Sequence, residues 1–462
     1  MAIPLTVALL TYNRSHYLRE AIDGVLSQTY TDFEFLVLDN GSTDDTADVV
    51  LAIDDPRLRY VRNPPGMTAG FNALSAMLLL RGERLLVTHD DDVMEPEMLA
   101  RQMAVLRERP DVTAVWTNTS VIDEHGATIQ QHLTPPRGDR IYDRGEYIAR
   151  YAHERRWYPP SGLIYTPSLL SQANLNAQYR NTATSRRRSV VDGSGDVVLP
   201  ALMNTKGPVA FVDAPLLRYR QHGVQETNRI SLSDGVLHLY KVLARLVADT
   251  PYGEAYRPLF ASLIARYQAQ HELIYVERPV PLRSTVSKLA KLLDRAAGGV
   301  ASNRDAGYPL LPLAVLLDQL DAPGAPLGLL DVLPPPPLDD PASTHAMYAW
   351  AQRRVEGKNL FDSLPAGSRI AILGSVFVSA MLIMEARQRG IEVTRCLDSN
   401  VTRQGRELLG VPIVALAWLG DRDEPIDQIV VSSERDHEDE VVEMLRRHDP
   451  DTPVVSWKTL AG

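Results

Sequence analysis

The sequence predicts an α/β chain built on a mostly parallel sheet, and three observations carry that expectation. Apolar strand-like runs alternate with helical-period segments from Leu5 to Trp116. Polar or acidic clusters close three of those runs. The alternation then resumes after Gly367, beyond a proline-dense stretch. Strands alternating with helices imply crossover connections, hence a parallel sheet whose ligands sit beyond the carboxyl ends of the strands.

The first strand is expected at Leu5 to Leu10. Tyr17/Leu18, Ala21/Ile22 and Val25/Leu26 recur at helical spacing between Ser15 and Ser27. Phe33 to Leu38 reads as the second strand, and Thr43 to Ala52 as a helix with acidic residues in its first turn, where they complement the helix dipole. Leu58 to Val61 is a short third strand and Thr68 to Leu80 a helix. Leu85 to Thr88 is a fourth strand, Glu95 to Glu108 a helix and Val112 to Trp116 a further strand. Thr11 to Arg14, Asp39 to Ser42 and His89 to Asp92 fall at the ends of the first, second and fourth strands. Three such clusters on one sheet edge predict a site.

Leu232 to Tyr275 reads as helical, with Leu237, Tyr240, Leu243, Leu246 and Val247 on one face, until Pro279 interrupts. Ser284 to Ala297 is a short amphipathic helix carrying Lys288, Lys291 and Arg295; packing on the protein is the leading expectation and peripheral contact with an anionic membrane surface the second. Prolines crowd Asp321 to Pro341, the composition of a linker. Beyond it, Arg369 to Leu373, a Gly374-Ser375 turn, a helix to Gly390, a strand over Glu392 to Leu397 ending at Asp398, a strand over Asp427 to Ser432 and a helix over Asp436 to Arg447 form a small Rossmann-like module. Its turn has one glycine where the dinucleotide fingerprint has three, which favours a structural or partner-binding role, in a homo-oligomer or with another protein, over cofactor binding. The expected domains are 1–228, a helical extension at 229–320, a linker and connecting helix at 321–366, and the module at 367–462.

The chain has 462 residues, 45% hydrophobic and 23% charged, as in ordinary globular proteins. A net charge of −10 argues against nucleic acid as a partner. A single cysteine, Cys396, excludes an internal disulfide. The first residues lack the basic flank and apolar core of a signal peptide, and no apolar run reaches the roughly 18 residues of a membrane span. A cytoplasmic location is expected.

Three successive carboxylates repel one another, and a hard divalent cation relieves that repulsion. The competing reading is a solvated turn before the next helix.

The strings Val7-Ala8-Leu9-Leu10-Thr11-Tyr12-Asn13-Arg14, Leu18 to Tyr30, and Phe35-Leu36-Val37-Leu38-Asp39-Asn40-Gly41-Ser42 resemble the family 2 glycosyltransferases over residues 4 to 228. The resemblance implies a GT-A fold, a nucleotide-diphosphate sugar donor, Mn2+ or Mg2+, and inversion at the anomeric carbon. By that resemblance Asp39 accepts from a pyrimidine imide of a UDP- or dTDP-sugar, and Thr11, Tyr12, Asn13 and Arg14 line the base and ribose. Asp91 is the direct metal ligand with Asp92 beside it, Asp90 holds the ribose or a metal-bound water, and His222 reaches the metal or diphosphate. His89 departs from the family's acidic pattern as ligand, spacer or packed residue. Phe71, before Asn72 on the donor side, stands where relatives carry arginine, which leaves Arg186, Arg187 or Arg188 to neutralise the diphosphate. Asp196 is the expected base, with Asp192 as rival, and Trp157, Tyr158, Ser161 and Gly162 shape the acceptor side. The acceptor is expected to be a glycan, lipid-linked sugar or glycosylated protein. A decayed, non-catalytic sugar-nucleotide-binding or scaffold protein is the alternative.

Overall fold

The structure is a computed structural model that describes residues 3–65, 67, 69–154, 161–170, 195–222, 232–274, 279–322, 324, 326–338, 340–374, 377–399, 403–434 and 438–462. The chain divides into two compact units, Met1–Thr227 with Val242–Glu254, and Asn228–Lys241 with Ala255–Gly462.

Unit 1 opens with β1 (Ile3–Thr11), α1 (Ser15–Leu26), β2 (Glu34–Asp39), α2 (Thr46–Leu51), β3 (Leu58–Arg62), α3 (Ala69–Leu79) and β4 (Gly82–His89). It continues through β5 (Val93–Met94), α4 (Met98–Glu108), β6 (Ala114–Ile122), β7 (Thr128–Gln130), β8 (Arg140–Tyr142), α5 (Glu146–Glu154), β9 (Leu163–Tyr165), α6 (Gly195–Asn204) and β10 (Val209–Arg220). The strands lie in the order β3-β2-β1-β4-β9-β6-β10-β5, with β7 beside β6 and β8 beside β10. The β3-β2-β1-β4 portion is parallel, so the chain reverses its direction of travel across the sheet between β1 and β4.

The two central strands of this portion, β1 and β2, are mostly apolar because both their faces are covered. Every residue of β2 is buried, and Leu5, Val7 and Leu9 of β1 pack with Leu18, Ile22 and Val25 of α1 and with Leu99 of α4. The helix-period spacing of α1 thus becomes its buried face. Its first turn is satisfied from outside, since the Ser15 N–H donates to Asp44 Oδ2 at 3.0 Å. β9 was not anticipated. Three residues are too few to show a period, and β9 enters the sheet antiparallel to both β4 and β6.

Residues 232–275, expected as one helical stretch, form α7 (Leu232–Ala248) and α8 (Gly253–Ile274). The Thr250 hydroxyl donates to the Val247 carbonyl at 2.7 Å. A Cβ at Gly253 would lie 2.5 Å from the Ala248 carbonyl oxygen. Local side-chain bonding of this kind competes with helix continuation.

Unit 2 contains α9 (Arg283–Ala297), α10 (Leu311–Gln319), α11 (Ala342–Val355), β11 (Arg369–Leu373), α12 (Phe377–Gln388), β12 (Glu392–Leu397), β13 (Glu407–Leu408), β14 (Val411–Val414), α13 (Trp418–Asp421), β15 (Gln428–Val431), α14 (Glu438–Arg446), β16 (Val454–Ser456) and α15 (Trp457–Ala461). Its sheet runs β13-β14-β12-β11-β15-β16 and is parallel except at β13. Ile370 and Ile372 face a core containing α10, Trp350 and Trp457, while Ala371 faces Leu397, Ile429 and Leu445. The period-2 alternation of β11 therefore covers both faces with helices.

The proline-dense stretch, read from composition as a linker, lays Leu329 and Leu333 into that same core. Its carbonyls are taken by Tyr348 Oη, 3.1 Å from Leu333 O, and Tyr308 Oη, 3.1 Å from Pro334 O. α9 spends its apolar face the same way, burying Leu289, Leu293 and Ala296 in the core. Among the described residues no helix is long and apolar enough to cross a membrane.

Candidate functional site

The three clusters meet at one edge. β1 and β2 pair Thr11 with Asp39, and β1 and β4 pair Leu10 with His89. Their loops are therefore adjacent at the carboxyl ends, beside the reversal between β1 and β4, where open α/β sheets bind ligands. The Tyr12 N–H donates to Asp90 Oδ2 at 3.1 Å and the Asp90 N–H to the Leu10 carbonyl at 3.2 Å. Asn13, in the left-handed region at φ 51°, donates its N–H to Ser42 Oγ at 3.0 Å and accepts from the Thr43 N–H at 2.7 Å. Left-handed backbone suits asparagine better than most residues. Tyr12 itself is exposed.

The acidic run splits into three environments. Asp90 is buried and its carboxyl is pushed up to about 6 by that burial and by the neighbouring Asp91 anion, with Arg14 offsetting part of the rise. Asp91 is also penalised by burial, yet the His222 hydrogen bond and the Arg14 and His89 charges outweigh it and hold its pKa below the usual value. Asp92 is driven well above the carboxylate range by burial and by Asp91.

Asp92 is turned inward. It accepts from Ser161 Oγ at 2.5 Å and from the Arg220 N–H at 3.2 Å. Ser161, expected on the acceptor side, is buried here and also lies 3.1 Å from His89 Nδ1. Gly162 follows at φ 93°, and a Cβ there would sit 2.7 Å from Met98 Cε. Asn72, expected on the donor side, is buried with its amide donating to the Leu38 carbonyl at 3.0 Å and its oxygen accepting from Asn63 at 2.8 Å. That places it as a tie between α3 and the end of β2.

His222 Nε2 stands 3.1 Å from Asp91 Oδ2. β5 brings it there, because Val93 and Met94 pair antiparallel with Arg218 and Leu217 and fold the end of β10 over the acidic run. Arg220 is the buried anchor of this return. Its guanidinium donates to the Asp91 carbonyl at 3.0 Å, the Asp123 carbonyl at 3.2 Å and Glu20 Oε2 at 2.6 Å, over the Tyr17 ring at 4.7 Å.

The same Asp91 oxygen accepts from Arg14 Nη1 at 2.8 Å, and that nitrogen also lies 3.0 Å from Asp90 Oδ1. Carboxylate oxygens beside an imidazole nitrogen suit Mn2+ or Mg2+, which fill their remaining positions with water and phosphate oxygens. The donor chemistry therefore fits a divalent ion. Among the described residues no group of three His, Cys, Asp or Glu is arranged to enclose one.

Asp39 is fully buried at the end of β2. The Ser42 N–H donates to Oδ1 at 2.7 Å and the Tyr60 hydroxyl to Oδ2 at 2.6 Å, with Arg62 Nε 3.5 Å from Oδ2. Burial and that bond push the Tyr60 hydroxyl above its ordinary range. Arg62 and Arg14 are the cations that this edge supplies from β3 and the first loop. Neither Arg62, Tyr60 nor the Arg220–Glu20 pair was anticipated. β-strand alternation put Tyr60 and Arg62 on one face, but only the register of β2 with β3, pairing Val37 with Tyr60 and Asp39 with Arg62, aims them at Asp39. Asp196 lies in the first turn of α6. Asp192, Arg186, Arg187, Arg188, Trp157 and Tyr158 lie outside the described residues.

Residues 6–167 match the family described as Glycosyl transferase family 2. An uncharacterized glycosyltransferase of Nostoc sp. is 30% identical over 173 residues, 36% of this chain and 52% of that protein. The chondroitin synthase of Escherichia coli is 30% identical over 146 residues, 31% of this chain and 20% of that protein. The chain spans about half the length of the first curated relatives it matches. Among solved structures, S. aureus TarS in complex with UDP-GlcNAc overlaps 77% of this chain and 93% of its own at 13% identity and a TM-score of 0.44. The mannosyltransferase PcManGT from Pyrobaculum calidifontis, in complex with GDP-Man and Mn2+, overlaps 66% and 82% at 17% identity and a TM-score of 0.37. With the parallel β3-β2-β1-β4 order, the family match identifies the fold of unit 1 as the GT-A fold expected from sequence.

Proposed function

Residues 6–167 belong to glycosyltransferase family 2, and on that premise we propose that the chain transfers a sugar from a nucleotide diphosphate to a glycan, lipid-linked or protein-linked acceptor, with inversion. The observation that carries this reading is the convergence of Asp39, Asp91 with His222, and Arg14 on one edge of the sheet. A nucleotide sugar presents a base, a diphosphate and a sugar in that span, and the edge offers an acceptor, a carboxylate–imidazole pair and cations to meet them.

Asp39 supports a UDP or dTDP donor. Each of its oxygens has more than one lone-pair site, so the bonds from Ser42 and Tyr60 leave acceptor capacity for an imide N–H. Asp91 and His222 would hold Mn2+ or Mg2+, with Asp92 and Ser161 fixing the run from behind. A bound divalent ion neutralises charge on the leaving nucleoside diphosphate. Arg14 and Arg62 add fixed positive charge without a proton to lose. Asp196 at the start of α6 is the proposed base that takes the acceptor hydroxyl proton, with Asp192 as the rival.

The test is a screen of UDP-, dTDP- and GDP-sugars with Mn2+, read as released nucleoside diphosphate. A UDP- or dTDP-sugar consumed in a metal-dependent way supports the reading. Binding of nucleotide with no turnover on any donor or acceptor would favour a non-catalytic sugar-nucleotide-binding protein.

A further inference from the structure

We propose that Arg14 is a tethered counter-cation that occupies the divalent-ion position of the acidic run and makes metal binding conditional on the nucleotide. This inference rests on the metal reading of Asp91 and His222 given above and concerns how that site is regulated.

The geometry carries it. One nitrogen, Arg14 Nη1, lies 2.8 Å from Asp91 Oδ2 and 3.0 Å from Asp90 Oδ1. It therefore sits between the two carboxylates. Asp91 Oδ2 is also the oxygen that faces His222 Nε2 at 3.1 Å. A divalent ion bonded to that oxygen at about 2.1 Å would lie beside the guanidinium, two cations on one carboxylate oxygen. Their repulsion makes metal and Arg14 compete at Asp91 Oδ2.

The two carboxylates cannot be left bare either. Asp90 and Asp91 are 2% and 8% exposed, so water does little to screen them, and a cation at this point stabilises the ionised pair. Arg14 lies closer to solvent than Arg220: its side chain is 27% exposed, on the loop after β1, against 2%. A nucleoside diphosphate changes the balance in two ways. It offers phosphate oxygens to which a guanidinium bonds in bidentate fashion, and it supplies ligands that complete the metal's coordination. Nucleotide and metal then bind cooperatively, each strengthening the other by the same factor.

The experiment uses the full chain and Mn2+ titrations followed by the loss of the free-ion paramagnetic resonance signal, with and without UDP. Wild type is expected to bind Mn2+ weakly alone and much more tightly with UDP. Arg14→Gln is expected to bind Mn2+ alone at least about tenfold tighter than wild type, the loss of one charge-assisted bond that the metal no longer has to displace. The gain from UDP shrinks correspondingly. Arg14→Lys retains a tethered charge and is expected to stay near wild type, which separates occupancy of the position from any general disturbance of the loop. Unchanged nucleotide-free Mn2+ affinity in Arg14→Gln, with Asp91→Ala still abolishing it, overturns the role of Arg14 while leaving the metal reading in place. Mn2+ bound by neither protein, even with UDP, overturns the metal reading and this inference together.

Discussion

Arg220 binds Asp92 through its backbone N–H and the Asp91 carbonyl through its side chain, at 3.2 and 3.0 Å. One residue from the end of β10 thus holds two consecutive members of an acidic run more than a hundred positions earlier in the chain. Glu20 on α1 completes the tie at 2.6 Å from the guanidinium. Replacing Arg220 with alanine keeps the backbone N–H to Asp92 but strands the buried Asp91 carbonyl and removes the bonds to the Asp123 carbonyl and to Glu20. Arg220→Ala is expected to cost about 3 kcal/mol in urea unfolding. Arg220→Lys is expected to recover only part of it, because one ammonium cannot reach the same spread of acceptors.

Asp196 is expected to separate binding from chemistry. Asp196→Asn should bind UDP with Mn2+ as wild type does while transfer falls about a thousandfold, within the usual contribution of a positioned base. Calorimetry and a transfer assay on the same preparation check both halves. Near-normal turnover moves the role to Asp192.

Asp213 links acid stability to a particular loop. Its carboxylate accepts from the Arg137 and Gly138 N–H groups at 2.5 and 2.6 Å and from Asn118 Nδ2 at 2.7 Å. Burial opposes ionisation there, but those donors win and its pKa lies below the ordinary 3.8. A carboxyl with a depressed folded pKa contributes stability above the unfolded pKa and loses it as pH falls through the folded value. Asp213→Asn should therefore cost about 1 kcal/mol near neutrality and flatten the fall in stability below pH 3.8. Thermal melts at a series of pH values on both proteins read this directly.

Cys396 offers a reporter for unit 2. It is fully buried in β12, and burial, with nearby Asp398, pushes its thiol up to about 12. The thiolate is the reactive form, so the native protein is expected to react with a thiol reagent only as fast as unit 2 opens. Labelling should become immediate in denaturant. Rapid labelling of the folded chain at neutral pH would contradict the placement of β12 in the core.

Much of this was legible in the sequence, and the limits have physical causes. The alternation of β1 to β4 with α1 to α3 is written in local periodicity, and the three strand-end clusters follow from it because parallel strands put their carboxyl ends on one edge. The convergence of His222 on Asp91 was suggested by resemblance alone. It depends on β5, a two-residue strand, and no period exists over two residues. The Arg220–Glu20 pair spans 200 positions, and nothing local marks either residue. The proline-dense stretch misled because its composition describes an extended backbone, whereas Leu329 and Leu333 decide where that backbone lies. Ser161 and Asn72 show the same limit, since a polar residue near a site reads identically whether it faces a ligand or supports the residues that do.

The central claim is that Asp91 after β4, paired with His222 after β10, anchors the donor diphosphate through a divalent ion. Calorimetry of UDP binding to Asp91→Ala, with and without Mn2+, tests it most directly. The expected result is a folded protein whose UDP affinity no longer responds to Mn2+. Wild-type, metal-dependent UDP binding in Asp91→Ala would contradict the account.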